Sequence, residues 1–198
     1  RAIIYIKKGQ YKMALELLNQ VTKFYERNAF SKELANLYLQ TGFALVESDN
    51  FEAALKNYFK VLNISDEDHY QLERCKALIQ IGRIYHFLNQ DELSVNYTNK
   101  GLFLAKKFRH PMQEANALNL LGLVDYKKNS LISAQQKLSE ALTIRQNIKD
   151  KNGEAGTLYN LALVFEKKGE YENSLAYHQK SLAIEKELNH SIGICYSY

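Results

Sequence analysis

The stretch KKGQYKMAL, residues 7–15, returns near the other end of the chain as KKGEYENSL, residues 167–175. Both lysines, the glycine, the tyrosine and the leucine keep their places across an offset of 160 residues. Laid out in rows of 40, the chain puts Ala2, Gly42, Gly82, Gly122 and Ala162 in one column. A second small-residue column, twelve positions on, reads Ala14, Ala54, Ser94, Ala134 and Ser174. Between them stand Gly9, Asp49, Asn89, Asn129 and Gly169, all turn formers flanked by helical text. The doubled phrase is therefore the turn of a 40-residue repeat, seen in its first and fifth copies.

Within a row the first half carries apolar residues at helical spacing, as in Leu78, Ile81, Gly82 and Tyr85. The second half does the same with Leu175, His178 and Leu182. Each row is predicted to be two helices, with small residues where the axes must approach to about 8–10 Å. Two residues past the turn stand Tyr11, Phe51, Asp91, Leu131 and Tyr171, among which Asp91 is the misfit. The lysines before Gly9 and Gly169 suit a helix C-terminus, where a cation meets the negative end of the dipole.

Composition agrees with a helical reading. The 198 residues include one proline, nine glycines, fourteen tyrosines and no tryptophan, and 46% are hydrophobic, which is ample for a buried core. Net charge is +4 with both signs interspersed, so the chain lacks the basic footprint of a nucleic-acid binder. Apolar runs such as LNLLGLV (118–124) fall far short of the roughly 18–20 residues that span a bilayer. The chain opens at Arg1 without a methionine or a signal peptide, and is expected to be one solenoid domain, 1–198, cut from a longer protein.

This order of small residue, turn residue seven later, aromatic two after that and small residue again resembles the tetratricopeptide repeat. The resemblance covers essentially the whole chain. Its period of 40 rather than 34 is similar to the longer variant of bacterial signalling proteins, including peptide-sensing regulators, and of animal polarity scaffolds. The family's tryptophan is replaced by Tyr38, Leu78, Leu118 and Leu158. The extra residues are expected in longer helices and in inter-repeat links such as RHPMQEA (109–115) and KDKNGEA (149–155). The fold implied is an all-α solenoid of about ten helices.

Candidates for chemistry are few. Cys75 and Cys195 share a column with Ala35, Ala115 and Ala155 and read as small packing residues, since equivalent points of distant repeats cannot meet within disulfide reach. His110 and His190 share a link column with Asp150, His69 lies in another link, and His178 shares a packing column with Tyr58. Only His86 falls on an available face. No phosphate loop, serine elbow or carboxylate–base cluster appears, and no cofactor, metal or catalytic residue is expected.

What remains is a surface. If Leu78, Ile81, Gly82 and Tyr85 are buried, the opposite stripe of the same helix is Lys76, Ile79, Arg83, His86 and Phe87. In tetratricopeptide proteins this stripe resembles the lining of a concave groove. The next rows supply Asn116, Asn119, Leu123, Tyr126 and Lys127, then Tyr159 and Lys167 among others. Lys7, Lys76, Arg83, Lys127 and Lys167 outnumber Glu47 and Glu166 there. A protein or short peptide that is acidic or ends in a free carboxylate is the expected partner, with Arg83 gripping the carboxylate and the asparagines pairing with both N–H and C=O of an extended backbone. Lys76 is followed four residues later by Gln80 rather than a second cation, which departs from the family's carboxylate clamp and disfavours a chaperone tail.

Two functions stay open. One is a non-enzymatic interaction or sensor region of a bacterial signalling or transcription-regulatory protein. The other is the regulatory part of a phosphatase or kinase whose catalytic segment lies outside residues 1–198. A reducing, cytoplasmic compartment, no membrane, and self-association through uncapped ends are expected with either.

Overall fold

A computed structural model describes residues 2–28, 31–65 and 70–188. Ten helices and no strand occur among them. They divide into two compact units, 1–108 and 109–198. The first holds α1 (Ala2–Lys7), α2 (Tyr11–Asn28), α3 (Ser31–Val46), α4 (Phe51–Ile64), α5 (Gln71–Phe87) and α6 (Asp91–Lys107). The second holds α7 (Pro111–Lys127), α8 (Leu131–Asn147), α9 (Lys151–Lys167) and α10 (Tyr171–Glu187). Each row of the sequence is one helical hairpin, as expected.

The turn column explains the hairpins. Gly9, Asp49, Asn89, Asn129 and Gly169 all take positive φ, between 57° and 78°. That conformation lets the next N–H reach back to close the helix: Gln90 N–H donates to the Tyr85 carbonyl at 2.8 Å, and Gln10, Asn50, Ser130 and Glu170 repeat the bond at 2.8–2.9 Å. At the end of the first helix of each pair, one orphan carbonyl is satisfied by this device. Glycine and asparagine are the residues that enter the left-handed region most cheaply, which is why the column is spelled as it is.

The small columns are buried as predicted. Ala14, Ala54, Ser94 and Ala134 are fully buried, and Ser174 nearly so. A Cβ on Gly42 would stand 2.5 Å from the Tyr58 ring, and one on Gly122 would stand 2.8 Å from Leu138 Cγ. In unit 1 the core gathers Tyr58, Val61, Ile81 and Ile84 around Ala35, Ala54 and Ala77. Tyr85 and Tyr97 stack beside it with centroids 5.5 Å apart. In unit 2 the core is Leu138, Leu161, Val164 and Phe165, with Tyr177 stacked on Phe165 at 5.0 Å.

One expectation is corrected. RHPMQEA and KDKNGEA are helix starts rather than links, because α7 opens at Pro111 and α9 at Lys151. Proline suits the first helical position, where its missing N–H is no loss, and Asp150 caps α9 by accepting from Gly153 N–H at 3.0 Å. The misfit Asp91 stands in the first turn of α6, where the helix dipole favours an anion, and its Oδ1 is 3.8 Å from His86 Nδ1. Cys195, His69 and His190 lie outside the described residues, as do the side chain of Lys7 and the last ten positions of the chain.

Candidate functional site

Unit 2 brings most of its expected residues together. α7 presents Asn116, Asn119, Leu123, Tyr126 and Lys127, and α9 packs beside it with Tyr159 and Lys167. Lys167 Nζ donates to the Tyr126 carbonyl at 3.1 Å and stands 4.6 Å from the centre of its ring, so the two form one feature. Tyr159 is half-buried, its ring edge-on to His178 at 5.4 Å. Lys127 and Lys167 are exposed.

The asparagines are held from beneath by residues that sequence reading missed. Arg145 of α8 is buried; its Nη1 donates to Asp150 Oδ2 at 2.7 Å and its Nη2 to Asn116 Oδ1 at 2.9 Å. A guanidinium only donates, so the Asn116 atom facing it must be the carbonyl oxygen. The amide nitrogen of Asn116 has no partner among the described residues and is not buried. Asn119 is similar, its Oδ1 accepting from Asn160 Nδ2 at 3.1 Å and from Thr157 Oγ1 at 3.3 Å. Each oxygen is thus partly taken up from beneath, and the amide nitrogens are the groups left to a ligand first. Pairing of each asparagine with both N–H and C=O of a peptide would therefore share its oxygen with these internal donors.

A signal for Arg145 was present in the sequence. It falls in the column of Ser65 and Ala105, so a large cation stands where the two preceding rows are small. Gly153 makes the room, because a Cβ there would overlap the guanidinium.

Unit 1 divides the α5 stripe. Ile79 is 1% exposed and packs on α6, where a Cβ on Gly101 would stand 2.7 Å from Ile79 Cγ1; it belongs to the core and lines no groove. Gly101 draws α6 close enough to cover it. Arg83 lies near the buried Tyr58 phenol and Glu47. Burial pulls its guanidinium below the ordinary range, while the charges of Tyr58 and Glu47 act the other way. Tyr11 O–H donates to Glu47 Oε2 at 3.4 Å. Phe87 is 53% exposed and stacks on Phe51 at 5.9 Å; Lys76 and His86 are half-buried. Among the described residues no group of His, Cys, Asp and Glu is placed to hold a metal, and no helix is long and apolar enough to cross a membrane.

Antiparallel helix pairs at a 40-residue period, each turned on a left-handed residue and each packed on a small one, define a helical-repeat class. Residues 113–187 match the model of the tetratricopeptide repeat family. The chain is 23% identical over 149 residues to the regulatory protein RapG of Bacillus subtilis, an alignment that covers 73% of this chain and 40% of that protein. Among solved structures it resembles the Rap conjugation gene regulator of a plasmid in complex with a Phr peptide, with TM-score 0.89 and 18% identity over 99% of this chain and 54% of that one. It also resembles aspartyl phosphate phosphatase F from Bacillus subtilis, with TM-score 0.84 and 13% identity over 100% and 52%. At these identities the structural likeness is one of fold. The chain spans about half or less of the length of these relatives.

Proposed function

We propose that residues 1–198 form the peptide- or protein-binding domain of a cytoplasmic bacterial signalling or transcription-regulatory protein, acting by binding and not by catalysis. The observation that carries this reading is the fixed amide of Asn116. Arg145 holds its oxygen from below, so its N–H2 group, with that of Asn119 three residues on, is turned outward at no cost in rotamer freedom when a ligand arrives. Two such donors on adjacent turns match alternate carbonyls of an extended peptide. Lys127 and Lys167 add positive charge at the same face, which favours an acidic side chain or a free C-terminal carboxylate. The peptide held by one relative of the same fold supports the class of ligand.

The runner-up, a regulatory segment of a phosphatase, draws support from the likeness to aspartyl phosphate phosphatase F. In that case the reacting groups belong to another segment.

The test is an array of hexapeptides, each with a free or an amidated C-terminus, followed by anisotropy on the tightest. Asn116→Ala and Asn119→Ala should each weaken binding by about tenfold, the usual cost of a lost contact of this kind, and leave the helical circular dichroism unchanged. Equal affinity in both asparagine variants overturns the site on α7.

A further inference from the structure

Unit 1 holds a second feature, on the side of α5 opposite Arg83. Arg74 and Leu78 lie two residues on either side of Lys76, about 200° around the helix from it, so they face away from the stripe already described. They line a cleft of about 490 Å³ between α5 and α6. Across it stand Lys100, Phe103 and Lys107 of α6.

Among the described residues the charges in this cleft are unbalanced. Arg74 Nη1 donates to the carbonyls of Leu62, at 3.1 Å, and Ser65, which fixes the guanidinium at the end of α4. Its other N–H groups have no partner among the described residues and are not buried. Lys100 and Lys107 lie over the rings of Tyr97 and Phe108, at 5.3 and 5.1 Å, and neither makes an ion pair among the described residues. Elsewhere Lys56, Lys137, Lys151, Lys168 and Arg145 each have a carboxylate. No described residue lining the cleft is acidic. Beside the cations, Phe103 is 64% exposed.

The repeat supplies an internal control. In the next row the positions of Arg74, Lys100, Phe103 and Lys107 are taken by Glu114, Glu140, Thr143 and Asn147. The α7–α8 hairpin has the same two 17-residue helices as α5–α6. The fold therefore requires neither the cations nor the phenylalanine. Three cations and an aromatic ring that the scaffold does not need, at a cost in like-charge repulsion, are the makings of a contact surface.

We propose that this cleft docks an acidic segment of a partner protein, with one apolar side chain seated on Phe103 and Leu78 and carboxylates on Arg74, Lys100 and Lys107. A small-molecule site would bury most of its ligand, whereas here the ring that would anchor it stands largely in water. A nucleic acid would need a longer run of cations than one cleft provides.

The test uses the 198-residue chain and a labelled probe, acetyl-Glu-Asp-Leu-Phe-Glu-Asp-amide, blocked at both ends so that it offers no terminal carboxylate to α7. Binding should weaken with added sodium chloride, and by about tenfold or more in Lys100→Glu/Lys107→Glu and in Phe103→Ser. The double variant should instead bind acetyl-Lys-Arg-Leu-Phe-Lys-Arg-amide. Measured in the Asn116→Ala/Asn119→Ala background, where the α7 site is disabled, the cleft variants should weaken binding by the same factor, which separates this site from the one on α7. Absence of binding at millimolar probe, indifference to the cleft variants, or tighter binding of phenylacetate or of an oligothymidylate overturns the proposal.

Discussion

Cys75 occupies a slot that Ala35, Ala115 and Ala155 fill in other rows, and all four are fully buried. Its thiol reaches the Gly101 carbonyl at 3.2 Å, and burial pushes its pKa up to about 12. In the unfolded chain the thiol ionises near its ordinary value of 9.0, while the folded protein keeps it neutral to about 12. The folded state is thus favoured fully below pH 9, and that advantage is lost as pH rises toward 12. Cys75→Ala should be nearly neutral at pH 7, within about 1 kcal/mol, since the column already accepts alanine. Urea midpoints for the variant should fall less steeply than wild type between pH 9 and 12; an identical slope refutes the assignment. Sequence alone placed this residue correctly because its column is uniform. It failed at Ile79, because a stripe drawn on one helix cannot show that Gly101 brings a second helix over it. It missed also the hold on the Asn116 oxygen, whose donor Arg145 lies 29 residues away.

The same contrast holds for the helices and turns. The hairpin turns were legible because their left-handed residues are glycine, asparagine and aspartate, which announce that conformation. The left-handed residues between rows, Tyr70, Arg109 and Lys149, with φ of 59°, 55° and 57°, carry no such signal, and the helix starts after the last two read as links. Pro111 was the available clue. Close approach is the other legible feature, and it predicts a sharp test at Gly82. A Cβ there would overlap the Thr98 hydroxyl and stand 3.1 and 3.2 Å from backbone atoms of Ser94 and Thr98, which cannot swing aside. Gly82→Leu should destabilise the protein by about 1–3 kcal/mol in urea denaturation, with α5 and α6 forced apart. An unchanged midpoint refutes the register of the repeat.

For the whole chain, the expectation of one domain over 1–198 meets two compact units in the structure. Scanning calorimetry distinguishes cooperative behaviour from independent melting. We expect a single transition whose calorimetric and van't Hoff enthalpies agree, and two resolved transitions would divide the domain. The same scans address self-association, for which Ile4, Met13 and Phe24 of α1 and α2 offer exposed apolar surface. If copies associate, the midpoint rises with protein concentration; a constant midpoint argues for a monomer.

Helix contacts within each unit run between neighbours in the chain, with α3 and α5, or α7 and α9, as the more distant pairs. No described helix in either unit waits for a partner from far along the sequence. Such low contact order belongs to chains that fold in microseconds to milliseconds. A ribosome adding about 5–20 residues per second takes roughly 2–8 s to make one 40-residue row. Each hairpin therefore has thousands of folding times to close before the next row emerges, and the turn residue that closes it is made before the second helix exists.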